Sequence, residues 1–155
     1  MVMKANRPTD LVAVVDVIDP DATAAGAVNG SWVSAADFSS FMAIVMAGTL
    51  GASATLDFKI EQATDASGTG AKDITGKAVT QITQGGTNQS DTQAIVEFCG
   101  EDLDVDNDFT HVRMVMTVGA ATSDAGAVLM GLDARYGPAS DRDAASVGEI
   151  IGLDA

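Results

Sequence analysis

The chain has 155 residues, enough for one domain, with 46% hydrophobic and 5% aromatic residues and a formal net charge of −14 at pH 7. A domain of this size buries roughly 68–70% of its unfolded surface, so its core stands without disulfides or metals. The acidity argues against nucleic acid and anionic membranes as partners, because affinity for phosphate backbones rests on Lys and Arg displacing counterions; Lys77 is the last lysine, and only Arg113, Arg135 and Arg142 follow it as basic residues.

Residues 1–10, MVMKANRPTD, contain Pro8, show no periodicity and predict an extended arm. No continuous apolar run follows their short basic start, so they do not read as a targeting segment and a soluble protein is expected. LVAVVDVI (11–18) is β-branched and predicts a strand; DPDATAAGAVNG (19–30), with Pro20, Gly26 and Asn29-Gly30, predicts a turn-rich connector. A short strand around Trp32, a bulge or single helical turn at Ser34–Asp37, and a strong strand over 38–48 come next. The apolar stretch 41–52 is too short for a membrane span and holds Gly48 and Gly51.

In TLDFKIEQ (55–62), Leu56, Phe58 and Ile60 alternate with Asp57, Lys59 and Glu61, the period of a half-buried strand. The small, polar residues 63–73 predict a surface loop, and Val79 and Ile82 offer themselves to a further strand. After a break at 85–91, TQAIVEFCG (92–100) reads as a strand. In FTHVRMVMTVG (109–119), Phe109, His111, Arg113 and Val115 share one face, and Val112, Met114, Met116 and Val118 share the other, which is the better core face. AATSDAG (120–126) predicts a turn and residues 127–137 the last strand; beyond it, Val147, Ile150 and Ile151 have helical spacing and suit a short helix or a segment docked on a neighbour.

Seven or eight strands with regular turn signals and no long amphipathic helix predict an all-β antiparallel β-sandwich, of which a jelly roll is one form, over residues 11–141. The arm 1–10 and an irregular C-terminal tail, 142–155, flank it.

Chemistry-bearing constellations are few. Asp102, Asp104, Asp106 and Asp108 imitate the start of an EF-hand loop, but the sixth position is Asn107 instead of Gly and the twelfth is Arg113 instead of Glu. A solvated acidic stretch with Leu103 and Val105 turned inward fits better. His111 is the sole histidine, no nucleophile elbow is present, and neither metal nor cofactor is expected. Cys99, flanked by Glu97 and Glu101, reads as a small buried apolar side chain whose thiol those acids would not activate. Trp32 and Tyr136 suit partial-core anchors or ligand platforms, and Arg135 either an ion pair within its own chain or a subunit contact. An enzyme is not expected.

Four phrases stand out as strings: KDITGKA (72–78), DLDV (102–105), FTHVR (109–113) and RYGPASD (135–141). With the segments around them, over about residues 31–141, the chain resembles a group of small proteins encoded by tailed bacteriophages and prophages of marine and other alphaproteobacteria. That resemblance implies a virion component, a capsid decoration or cement protein on the outer capsid surface. It further implies a β-sandwich that forms homotrimers and bridges subunits of the major capsid protein. On this reading the partner contacts fall to the arm, with Lys4 and Arg7, to the 63–73 loop and the tail, and to Trp32, Arg135 and Tyr136. The alternatives are a head–tail connector or tail-tube component, or a host- or carbohydrate-binding module on the virion.

Overall fold

Strict alternation of apolar and polar residues makes extended segments, and in this chain nearly all of it is used in that way. The computed structural model describes residues 7–152. Its strands are β1 (Val12–Thr23), β2 (Gly26–Asn29), β3 (Val33–Ser34), β4 (Phe38–Ala47), β5 (Thr55–Ala63), β6 (Lys72–Ala78), β7 (Ile82–Thr83), β8 (Gln93–Cys99), β9 (His111–Gly119) and β10 (Ser123–Ala134). A single helical turn, α1 (Pro8–Leu11), precedes them. No described helix is long and apolar enough to cross a membrane.

Two antiparallel sheets result. One has the order β1-β10-β4-β8; the other has β2-β9-β5-β6, with β3 also on β9 and β7 also on β5. Because β2 and β3 share one neighbour, and β6 and β7 another, each pair acts as one interrupted strand, leaving eight. Consecutive strands then change sheets at every step except the β5–β6 hairpin. This is the jelly-roll form of the β-sandwich, built from two Greek keys.

The inward residues are those the alternation assigns. Leu56, Phe58 and Ile60 of β5 and Val112, Met114, Met116 and Val118 of β9 are at most 1% exposed. They meet Phe38, Phe41, Ala43 and Val45 of β4 and Ala125, Ala127 and Leu129 of β10 from the facing sheet. Each such large side chain contributes about 1.5–3 kcal/mol by leaving water. The few aromatic rings are concentrated: Phe41 lies edge-on to Phe38 at 5.7 Å and stacks on Phe98 at 5.1 Å. Gly131 makes room for them, since a Cβ there would stand 2.6 Å from the Phe38 ring.

Several sequence expectations need correction. The 19–30 connector is mostly strand, because β1 runs on through Thr23 and β2 begins at Gly26. Pro20 is tolerated on this edge strand because it falls in the register shift between Ile18 and Asp21, where no ladder hydrogen bond is forfeited. The 120–126 turn shrinks to three residues, Ala120–Thr122: β10 starts at Ser123, and Ala125 and Ala127 are small enough to line the interior. Within the arm, Pro8–Leu11 is helical, with Pro8 in the first turn and the Arg7 N–H donating to the Asp10 carboxylate at 2.9 Å. A 3-10 turn at Ala139–Arg142 leads into the tail, which forms no helix over Val147–Ile151, whose Ile151 is 87% exposed. Just before that stretch the chain is tied to β1: the Ala144 N–H donates to the Val14 carbonyl at 2.7 Å, and the Val14 N–H donates to the Asp143 carboxylate at 2.8 Å.

Candidate interaction surface

At one pole of the sandwich lie the connections 30–37, 64–71 and 100–110 and the chain leaving β10. Backbone hydrogen bonds fasten them together: Ala35 N–H to Thr110 O at 2.8 Å, Thr110 N–H to Ala63 O at 3.0 Å, and Arg135 N–H to Asp37 O at 2.9 Å. Between them is a groove of about 490 Å³ lined by Ala35, Cys99, Leu103, Val105, Phe109 and Arg135, among others. All four phrases singled out in the sequence contribute to this pole. Lys72 from the first pairs with Asp104 from the second and lies 4.1 Å over the ring of Phe109 from the third. Arg135 opens the fourth.

The acids of 102–108 curl into two 3-10 turns, Gly100–Asp102 and Val105–Asn107, instead of approaching as a strand. Leu103 is buried as expected, but the turns reset the alternation and leave Val105 60% exposed on the groove. Their carboxylates are spent on local bonds. Asp102 accepts the Cys99 N–H and pairs with Lys77 at 3.2 Å, and the first of these chiefly holds its carboxyl below the usual range. Lys72, then Asn107, does the same for Asp104. Among the described residues no three His, Cys, Asp or Glu side chains are placed to hold a metal ion. His111 sits half-exposed beside the Thr110 hydroxyl, 2.9 Å away, on the wetter face of β9.

Trp32 is half-buried. The loop residue Gly68, in the left-handed region at φ 82°, lies against the indole, where a Cβ would approach Nε1 to 2.5 Å. The guanidinium of Arg113 covers it at 4.5 Å. Arg113 in turn donates from Nε and Nη2 to one oxygen of Glu61 at 2.9 and 2.8 Å, and Glu61 pairs with Lys59 at 3.0 Å. Burial pushes the Glu61 carboxyl up, but the bonds from Arg113 and Lys59 outweigh it, and the net direction is downward. Trp32 is thus a bracing residue between the 64–71 loop and β9.

The other expected contact residues divide. Tyr136 is 72% exposed, held by its carbonyl, which accepts from Arg142 at 2.5 Å. Arg135 is exposed; it donates to the Phe38 carbonyl at 3.3 Å and has no carboxylate partner among the described residues, against the in-chain ion pair considered for it. Arg7 is exposed at the start of α1, and Lys4 lies outside the described residues. Cys99 is half-buried at the groove, not fully buried, because the chain turns off β8 there. Arg142, which pairs with Asp37 at 3.3 Å and pins the tail to this pole, was missed; its setting in polar ASDRDA gave no periodic signal.

No protein-family model matches the sequence, and no curated protein matches it. Among solved structures, the chain is similar to one of the infectious bursal disease virus Gx strain, at 12% identity and a TM-score of 0.42, over 83% of this chain and 33% of that one. It therefore spans about a third of the length of that relative. Broad bean stain virus gives 11% identity and a TM-score of 0.42 over 90% and 94% of the two chains. Naturally occurring empty particles of cowpea mosaic virus give 9% and 0.43 over 84% and 89%. Likeness at this level assigns neither family nor role.

Proposed function

We propose that this chain is a structural protein of a phage virion, a decoration protein that binds the outside of the head and bridges coat subunits as a homotrimer. The observation that carries the reading is that all four resemblance-bearing phrases contribute residues to one pole, around a groove beside which Lys72, Lys77, Asp102 and Asp104 are tied up in structural bonds. An interaction surface needs that kind of fixed relief, whereas catalysis needs groups left poised to react. Exposed Tyr136 and Arg135, beside the groove, are the contacts proposed for this pole, with Arg7 near the start of the chain. Multiple copies acting together turn modest contacts into tight attachment.

The test is binding of the purified chain to undecorated heads from the source phage, followed by sedimentation and imaging. Saturable attachment to the outer shell is expected, and Tyr136→Ala with Arg135→Ala should weaken it by about tenfold or more, the usual loss on truncating an aromatic and an arginine anchor. A chain that is absent from purified particles and fails to bind heads would overturn the reading.

A further inference from the structure

The two outer faces of the sandwich differ in chemistry. On the six-stranded sheet the outward positions carry Asp57, Lys59, Glu61, Arg113 and Thr117, laced by ion pairs. On the four-stranded sheet the outward residues of β4 are Met42, Ile44 and Met46, opposite to inward Phe41, Ala43 and Val45. Register sets Ile44 between Val128 of β10 and Ile95 of β8, and Met42 beside Met130. Met46 is 40% and Ile95 58% exposed, while Met42, Ile44, Val128 and Met130 are half-buried by one another. The main packing partners of β4 are its sheet neighbours and an adjoining turn, and β8 adds β6 at its edge, while α1 and the 139–142 turn lie against β1 and β10. Four strands about 4.8 Å apart and about seven residues long at about 3.3 Å each make a face of about 440 Å². Its apolar centre is smaller than that, since Gln93 and Glu97 also point outward from β8, and a cluster of this kind often marks an interaction site.

Charge and area decide the occupant. The exposed charges on and beside the face, Glu97 of β8, Asp124 of β10 and Asp19 and Asp21 of β1, are acidic, while the cations Arg7 and Arg142 belong to α1 and the 139–142 turn, which meet β1 and β10. Lys77, which reaches the β8 edge, is already engaged by the Glu97 carbonyl at 3.0 Å and by Asp102. A second copy placed face to face would set acids on acids, and about 440 Å² is only about half of what one partner contributes to a stable pair. We propose that the outer face of the four-stranded sheet docks on a protein surface with an apolar centre and a border of Lys and Arg, as one weak contact in a repeated array. Face and partner chemistry follow from the geometry; that the array is a phage head rests on the function proposed above.

Methionine chemistry offers a direct test, because Met42, Met46 and Met130 lie on this face while Met114 and Met116 are fully buried controls. The chain would be oxidised with dilute peroxide, alone at low and high concentration and within the native assemblies that contain it, and the sulfoxides counted by mass spectrometry. A carbodiimide would then couple Glu97 and Asp124 to any lysine they touch. Expected are rapid oxidation in the free chain at both concentrations, protection of the three surface methionines by about tenfold in the assembly, as for groups sealed from water in an interface core, and coupling to lysines of another protein. Ile95→Asp, at a position exposed enough to leave folding intact, should abolish that protection. Coupling to coat-protein lysines supports both proposals; coupling to another protein supports the face and removes the phage head. Protection that appears in the free chain on concentration alone would replace the partner by a second copy. Full reactivity in the assembly, or a chain that stays monomeric in its native extract, would overturn the inference.

Discussion

Asp16 and Glu61 are displaced in opposite directions, and they contribute to the pH response with opposite signs. Asp16 is buried on β1, where its carboxylate accepts the Ser31 N–H at 3.0 Å. Burial raises its pKa above the ordinary 3.8 despite the bonds from Ser31 and Val17. The folded state therefore holds that proton more tightly, and Asp16 costs stability progressively as pH rises from 3.8 through its raised value. Glu61, lowered from 4.5, has the reverse sign: its contribution is fully present above 4.5 and is lost as pH falls through its folded value. Asp16→Asn, which keeps an acceptor for Ser31, is expected to raise the melting temperature at pH 7 and not at pH 3. Arg113→Ala should cost about 1–3 kcal/mol at pH 7, the range for losing hydrogen bonds to a charged partner, with a smaller loss at pH 3. Thermal melts of both variants across that range check the two signs together.

Among elements, β4 shows best how one strand serves both sides. Its inward Phe41 joins Phe38 and Phe98 in the only close ring contacts among the described residues, and Gly131 on the neighbouring β10 is the gap into which Phe38 fits. Phe41→Ala is expected to destabilise by about 3–5 kcal/mol through the cavity left behind. Gly131→Ala should cost about 1–3 kcal/mol by overpacking. Urea midpoints at unchanged slope would establish both. The same strand explains what could be read beforehand. Phe41, Ala43 and Val45 alternate with Met42, Ile44 and Met46, so a strand was evident, but both sets are apolar and nothing in the string says which set faces outward. In β5 one set is charged and in β9 one set is mostly polar, and there the core face was legible residue by residue. β1 beyond Pro20 and β10 before Gly126 read as turns because their Asp, Pro and Gly residues are turn formers; pairing with the neighbouring strand overrode that local preference. Trp32 was recognisable as an anchor, whereas its partners Gly68 and Arg113 come from distant segments and could be matched only by the fold.

At the scale of the whole molecule, the strong pairings are distant in sequence: β1 lies against β10, and β5 against β9. Folds dominated by such pairings close slowly, in about milliseconds to seconds for small domains. Stopped-flow refolding is expected to fall in that slow range, and high salt should hasten it by screening the net charge of −14 during collapse. Salt-independent refolding within microseconds would contradict this picture.

The position of β10, inserted between β1 and β4, has a consequence for how the protein is made. On the ribosome, β1 and β4 emerge early, yet neither has its shared neighbour until the final strand has been synthesised. Until then the nascent chain carries two open ladders and the apolar rows meant for β10, which are liabilities for clumping. A transcript cut short before codon 123 would therefore yield no half-built sandwich but a sticky product fit for proteolysis. Closure of the four-stranded sheet thus waits on the last described strand, and a chain cut before it can complete neither ladder.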